Sequence, residues 1–250
     1  MKEKIYNCKN CGKTLTEKQI YKRNHFCCKG CASSYRQKSH DPDIFNITNK
    51  DVLYYLLGLI FTDGNLDKLS SRITLSLTQK DVIQKLYPYF CDTTKRKIYE
   101  YQPHNCKNAN RSYTIINTNS DTIQKLKDMS LTPCNTDTKD FPYIPLEYTS
   151  SFLRGVFDGD GSIIAPLSYN GKRYKLISIT CASPIFVNKL VKLLESLGYS
   201  PTVVIDSRRK NNQVKTYYVR LNKQNEIKNF GDYIYKNANI YFDYKRQRFE

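Results

Sequence analysis

The chain has 250 residues, 40 of them Lys or Arg against 23 Asp or Glu, giving a formal net charge of +17, and 40% of the residues are hydrophobic. That apolar content excludes pervasive disorder and collagen-like structure, and the length allows one or two globular units plus a small module. The cationic surplus points to a polyanionic partner, because Lys and Arg neutralise phosphates and release condensed counterions; nucleic acid is the expected class.

The opening MKEKIYNCKN lacks the apolar core of a secretory signal. The best apolar run, Val52 to Phe61, stops at Thr62-Asp63, short of the roughly 18 residues of a membrane span. The chain is therefore expected inside the cell, in a reducing compartment, with its cysteines as thiols or metal ligands. Residues 1–40 hold five of the nine cysteines and few aliphatic residues, so this stretch needs a staple other than a core. Cys8-x2-Cys11, then Cys27 or Cys28, then Cys31 comes close to the spacing of a four-thiolate zinc site. Gly12 directly after the first pair suits a knuckle that points two sulfurs at one ion. The second pair stays open between Cys28-x2-Cys31, the usual spacing, and Cys27.

Ser39 to Asn49, polar and with a Pro, reads as a linker. The rest reads as one pattern written twice. YYLLGLIFTDG (54–64) and SFLRGVFDGDG (151–161) are apolar helical stretches that both end in Asp-Gly. After the first, RITLSLTQ (72–79) alternates as a strand with Ile73, Leu75 and Leu77 on one face and Arg72, Thr74, Ser76 and Thr78 on the other. DVIQKLYPYF has helical spacing, KRKIYEY and RSYTIIN read as strands, and SDTIQKLKDM as a helix capped by Ser or Asp. The second copy follows suit: strands GSIIAPL and YKLISITC, a helix from Pro184 to about Gly198, strands PTVVIDSRR and KTYYVRL, and a helix near Asn225 to Tyr235. Leu176 interrupts the polar face of its second strand. Leu131 to Glu147, with three prolines, reads as an ordered connector.

Each Asp-Gly reads as a helix end, with Gly64 and Gly161 suited to the left-handed closing conformation. An Asp at the negative end of a helix dipole is unfavourable unless a cation compensates, and a divalent metal with hard oxygen ligands is the simplest one. Gly58 and Gly155, five residues before Asp63 and Asp160, lie mid-helix, where Gly is about 1 kcal/mol worse than Ala. Close packing of the two helices at these glycines explains that offset and brings both acids to one end of the pair.

LLGLIFTDG (56–64) and LRGVFDGDG (153–161) resemble the paired motifs of LAGLIDADG homing endonucleases, the second more closely. The first has Phe61 and Thr62 where the family motif reads Asp-Ala, but keeps the terminal Asp63. The resemblance covers about residues 48 to 250. It implies an α+β fold of two pseudo-symmetric αββαββα repeats, 48–135 and 148–250, whose two antiparallel sheets form a saddle along double-stranded DNA. Beside them stands a zinc-binding module at 1–40. The resemblance further implies a monomer that cuts both strands with magnesium held by Asp63 and Asp160. Gln79 matches the polar residue that family members place near the attacking water; in the second copy Cys181 takes that place. Lys245 in FDYKRQRF resembles the basic residue of the family's pocket, with Asn135 as its first-copy counterpart.

DNA reading would then fall to the wet strand faces, with Arg72, Thr74, Ser76 and Ser178 foremost. Arg96, Lys97, Arg111, Lys175, Arg208, Lys215 and Arg220 are further candidates for bases or phosphates. FCCKGC (26–31) resembles the F/Y-C-S-x-x-C element of small zinc fingers attached to phage and intron endonucleases, which favours Cys8, Cys11, Cys27 and Cys31 as the zinc ligands. Two other uses of the fold stay open: an intron RNA maturase, which needs neither acid, and a non-cleaving DNA-binding regulator, for which loss of a motif Asp would be the usual sign.

Overall fold

The computed structural model describes residues 6–9, 11–22, 24–32, 41–67, 72–102, 110–133, 137–169, 172–206 and 215–250. These divide into two compact units, Met1–His40 and Asp41–Glu250. Asn135 and Arg208, both named above, lie outside the described residues.

In the first unit the Cys8–Cys11 knuckle closes where the Gly12 N–H donates to the Cys8 carbonyl at 2.9 Å. Gly12 has φ +73, the left-handed value glycine adopts without strain. Helix α1 (Glu17–Tyr21) begins in a capping box formed by Thr16 and Gln19. The Gln19 side-chain amide also donates to the Cys27 carbonyl at 2.7 Å, tying the helix to the second cysteine pair.

The second unit contains the same succession of elements twice. The first copy runs α2 (Lys50–Asp63), β1 (Gly64–Leu66), β2 (Ile73–Leu77), α3 (Lys80–Phe90), β3 (Tyr99–Tyr101), β4 (Ser112–Asn117) and α4 (Ser120–Asp128). The other runs α5 (Thr149–Asp160), β5 (Gly161–Tyr169), β6 (Lys172–Cys181), α6 (Pro184–Ser196), β7 (Thr202–Ile205), β8 (Tyr217–Leu221) and α7 (Gln224–Tyr235), and is followed by α8 (Asp243–Arg246). The sheets are antiparallel with matching orders, β1-β2-β4-β3 and β5-β6-β8-β7. Alternation works as expected in β2, whose Ile73, Leu75 and Leu77 are buried while Ser76 is exposed. The flanking helices bury single stripes, such as Val82, Ile83, Leu86 and Phe90 of α3. The helix SDTIQKLKDM is capped by Asn119, one residue before the expected Ser.

Helices α2 and α5 are buried on most sides and pack directly against each other. Their crossing is at the two glycines: the Gly58 and Gly155 Cα atoms face one another so closely that a Cβ on either would lie 2.8 Å from the other's Cα. Around it runs a polar seam. Arg154, 1% exposed, donates through Nη2 to both Asp51 carboxylate oxygens at 2.9 Å and through Nη1 to the Ile234 carbonyl at 3.2 Å. Ser151 donates to the same Asp51, and Tyr54 stacks on Tyr148 with ring centroids 4.6 Å apart.

Two expectations need correction. Gly64 (φ −73, ψ 137) and Gly161 (φ −83, ψ 153) are extended, not left-handed. They are glycines because a Cβ would strike the preceding helical turn, at Ile60 and at Phe157. The stretch read as a linker is docked from residue 41 onward. Asp41 is buried and bonded by Arg96, by Thr118 and by the Asp92 N–H, and Ile44 is fully buried. Among the described residues no helix is long and apolar enough to cross a membrane.

Candidate active site and nucleic-acid interface

The glycine crossing sets the α2 and α5 carboxyl ends side by side, which brings Asp63 and Asp160 close to each other. A Cβ on Gly159 would lie 2.5 Å from Asp63 Oδ2, so the first acid reaches the residue beside the second. Asp160 keeps an accessible tip while the surrounding protein strips most of its hydration; that desolvation, then the neighbouring Asp63 carboxylate, push its pKa up to about 6. Asp63 is also raised by burial, against the opposing pull of a hydrogen bond from Thr62 and the charges of Lys245 and Lys139.

Lysines donate to the helix-end carbonyls. Lys245 Nζ donates to the carbonyls of Phe157, Asp158 and Gly159 at 2.9, 2.5 and 3.2 Å. Burial lowers its pKa to about 8, with Asp158, Asp63 and Asp160 pulling the other way. Lys139 Nζ donates to the Phe61 carbonyl of α2 in the same manner, and burial lowers its pKa too, against Cys181, Asp160 and Asp63. Lys139 is therefore the first-copy equivalent of Lys245, the place sequence reading gave to Asn135. Counting from the helix ends would have found it: Lys139 follows the end of α4 by nearly the distance at which Lys245 follows α7.

Asp158, unlike its counterpart Phe61, is a fixed structural acid. It accepts from Tyr55 Oη at 2.8 Å, Tyr235 Oη at 2.6 Å and the Phe242 N–H at 2.9 Å, which docks the segment leading to Lys245. Burial pushes its pKa up, opposed by these hydrogen bonds.

Gln79 directly precedes α3 and its side chain makes no capping bond. Strand register assigns its counterpart differently from sequence reading. Gly64 pairs with Leu75 and Gly161 with Ile179, so Gln79 corresponds to Ser183, and Cys181 to the core residue Leu77. The hairpin of β5 and β6 is longer and carries a bulge between Ile164 and Leu167, which defeats counting from the acids.

The outer face of the first sheet bears three of the four expected base readers. Arg72 pairs with Asp67 at 3.1 Å, Thr74 donates to the Asn65 carbonyl at 3.3 Å, and Ser76 shares a 2.7 Å hydrogen bond with Thr114. Ser178 has the right parity but is 4% exposed, flanked across the strands by Ser162 and Arg220, so in this arrangement it is out of reach of a base edge. Arg96 is engaged by Asp41 at 2.9 Å.

In the N-terminal unit the Cys8, Cys11, Cys27 and Cys31 sulfurs lie within 4.8 Å of one another. Cys11 to Cys27 is 3.6 Å and Cys27 to Cys31 is 3.4 Å. A Zn–S bond of about 2.3 Å implies tetrahedral sulfur edges of roughly 3.8 Å, so the cage fits zinc. Cys28 Sγ instead accepts the Cys31 N–H at 3.3 Å.

Residues 147–235 match the family model described as a LAGLIDADG-like domain. Among solved structures, I-DmoI in complex with DNA and calcium is 15% identical, covering 80% of this chain and 94% of that one, with a TM-score of 0.50. The LAGLIDADG meganuclease I-AabMI bound to uncleaved DNA is 12% identical, covering 78% and 88%, with a TM-score of 0.51. The N-terminal LAGLIDADG domain of DUF199/WhiA is 19% identical, covering 83% and 92%, with a TM-score of 0.49. No curated protein matches the chain. The similarity extends to the fold of both copies.

Proposed function

We propose, for a chain that has the LAGLIDADG fold with a LAGLIDADG-like domain at residues 147–235, that it is a site-specific double-strand DNA endonuclease of the homing type. The observation that carries this reading is the convergence of Asp63 and Asp160 at the adjoining ends of α2 and α5, with Lys139 and Lys245 bonded to the carbonyls of the same two ends. Two neighbouring carboxylates repel, and their hard oxygen donors suit magnesium, which Asp63 and Asp160 would hold. When bound, such an ion neutralises a scissile phosphate, lowers the pKa of water and stabilises a leaving oxygen.

The chain's own groups do the rest. The crossing at Gly58 and Gly155 fixes the spacing of the acids. Lys245 and Lys139 set positive charge beside the phosphates, in a pocket where low dielectric strengthens it. Gln79 can present its free amide to the attacking water. Arg72, Thr74 and Ser76 line a strand face that fits the major groove. The cysteine module, loaded with zinc, adds a second DNA grip, and the duplicated chain acts as a monomer.

Randomised duplex DNA incubated with the protein and magnesium, followed by sequencing of any ends, tests the proposal: one recurrent target cut on both strands is expected. Asp63→Asn or Asp160→Asn should abolish double-strand cleavage while sparing binding. DNA bound without ends formed, or full cutting by either variant, refutes it.

A further inference from the structure

The two copies hold their lysines by different means. In the second, Asp158 pins the Phe242 N–H at the start of the helix that carries Lys245. In the first, Phe61 stands where Asp158 would be, and Lys139 lies on a connector outside any helix of the described residues. Its supports come from the second copy. Ser183 Oγ donates to the Lys139 carbonyl at 2.5 Å, Lys189 Nζ pairs with Asp140 at 2.8 Å, and the Phe141 ring packs against Phe152 and Phe186 with centroids 5.3 and 4.9 Å away. Ser183 is fully buried, and its oxygen also accepts the Phe186 N–H at 3.2 Å, capping α6. One hydroxyl can do both, having one proton and two lone pairs.

We infer that Ser183 is a positioning residue for Lys139: through this hydroxyl the second copy places the lysine that serves the first copy's half of the site. The register supports the assignment, because Ser183 occupies the place that Gln79 holds in the first copy. Where one copy has a free amide, the other has a tether on its neighbour's lysine, so the half-sites are built unequally. Without the tether the connector loses its innermost support, and the Phe61 carbonyl and both acids lose an ammonium beside them. Misplacement of a catalytic group by 1 Å slows a reaction by about 10²-fold, so one strand should be cut ten- to a hundredfold more slowly and nicked product should accumulate.

The strand-resolved consequence rests on the nuclease reading, whereas the tether itself is testable without it. With each strand of the target labelled, Ser183→Ala should slow one strand at least tenfold and leave binding in calcium within about twofold. Ser183→Thr, which keeps the hydroxyl, should restore the rate. Glycine is well tolerated at helix N-caps, so Ser183→Gly should reproduce the defect without loss of the helix. Lys139→Met combined with Ser183→Gly should be no slower than Lys139→Met alone, since the two act through one group.

In metal-free protein, competitive acetylation followed by mass spectrometry should show Lys139 reacting several-fold faster in Ser183→Gly, with Lys245 as the unchanged internal standard. Equal slowing of both strands, additive effects in the double variant, or unchanged Lys139 acetylation overturns the inference. A wild-type protein that cuts no DNA refutes the nuclease reading instead, and the acetylation result then decides the tether alone.

Discussion

Gly58→Ala puts the helix crossing to a quantitative test. The added methyl would sit 2.8 Å from both Gly155 Cα and Val156 N and closer still to the Phe152 carbonyl oxygen, where unstrained carbon contacts are about 3.5–4.0 Å. All three neighbours are backbone, so no side chain can rotate away and the helices must separate by roughly 1 Å. Overpacking of this kind typically costs about 1–3 kcal/mol, and the absence of any flexible neighbour sets the expectation at the upper end. Against it stands a gain of about 1 kcal/mol from replacing a mid-helix glycine. The net is a loss of about 2 kcal/mol, or roughly 4–8 °C in Tm for a domain of this size. Calorimetry or circular dichroism would read it, and the same displacement at Asp63 and Asp160 should lower cleavage by about 10²-fold. An alanine variant as stable as wild type, or more so by the propensity gain, would show that the glycines are not there for contact between backbones.

Further outcomes follow from the site and from the cysteine module. Asp160 keeps its proton up to about pH 6, above the range of an ordinary aspartate, so its protonated form supports folding at low pH and that support is lost as pH rises through 6; Asp160→Asn should abolish this pH dependence in urea unfolding. The same proton competes with a cation, so calcium or magnesium affinity should fall about tenfold per unit below pH 6, while cleavage should decline above about pH 8 as Lys245 loses its charge, a limb absent from Lys245→Met. Asp158→Asn turns an amide toward donors that need an acceptor and should destabilise by about 2–3 kcal/mol in the same assay; a change under about 0.5 kcal/mol would refute its docking role. Purified without chelator, the protein should carry one equivalent of zinc that Cys28→Ser retains and Cys27→Ser loses; the reverse pattern in elemental analysis would overturn the ligand set.

What the sequence disclosed follows from which forces are local. The apolar runs ending in Asp-Gly, the glycines at matching offsets and the alternation of β2 all reflect periodicities of a single element, and each appears in the fold as read except that Gly64 and Gly161 are extended. Ser178, Cys181 and Lys139 were misread or missed because their environments depend on register and on elements far along the chain. Alternation gives Ser178 its parity, but neighbours on β5 and β8 decide whether it sees solvent. The pairing of Gly161 with Ile179, set against that of Gly64 with Leu75, puts the Gln79 equivalent at Ser183 and not at Cys181. The polar run after residue 40 looked like a linker because a buried Asp held by Arg96 carries the composition of a loop. Cys27 was favoured over Cys28 by likeness rather than by spacing, and the convergence of its sulfur with the other three is a property of the turn around it.

Around the matched glycines, the polar contacts between α2 and α5 join unlike partners. Arg154 meets Asp51, and Asp158 meets Tyr55, but the positions equivalent to these four are Leu57, Tyr148, Phe61 and Phe152. Two second copies brought together would bury a guanidinium opposite Tyr148, an unpaired charge in the interior, while two first copies would set the partly exposed Asp51 against Leu57 without its cation. The pseudo-twofold interface is thus a lock and key that discriminates against self-pairing. Each half is committed to the other, and for the nuclease proposed above a lasting left and right to the molecule would suit an address in DNA that reads differently from its two ends.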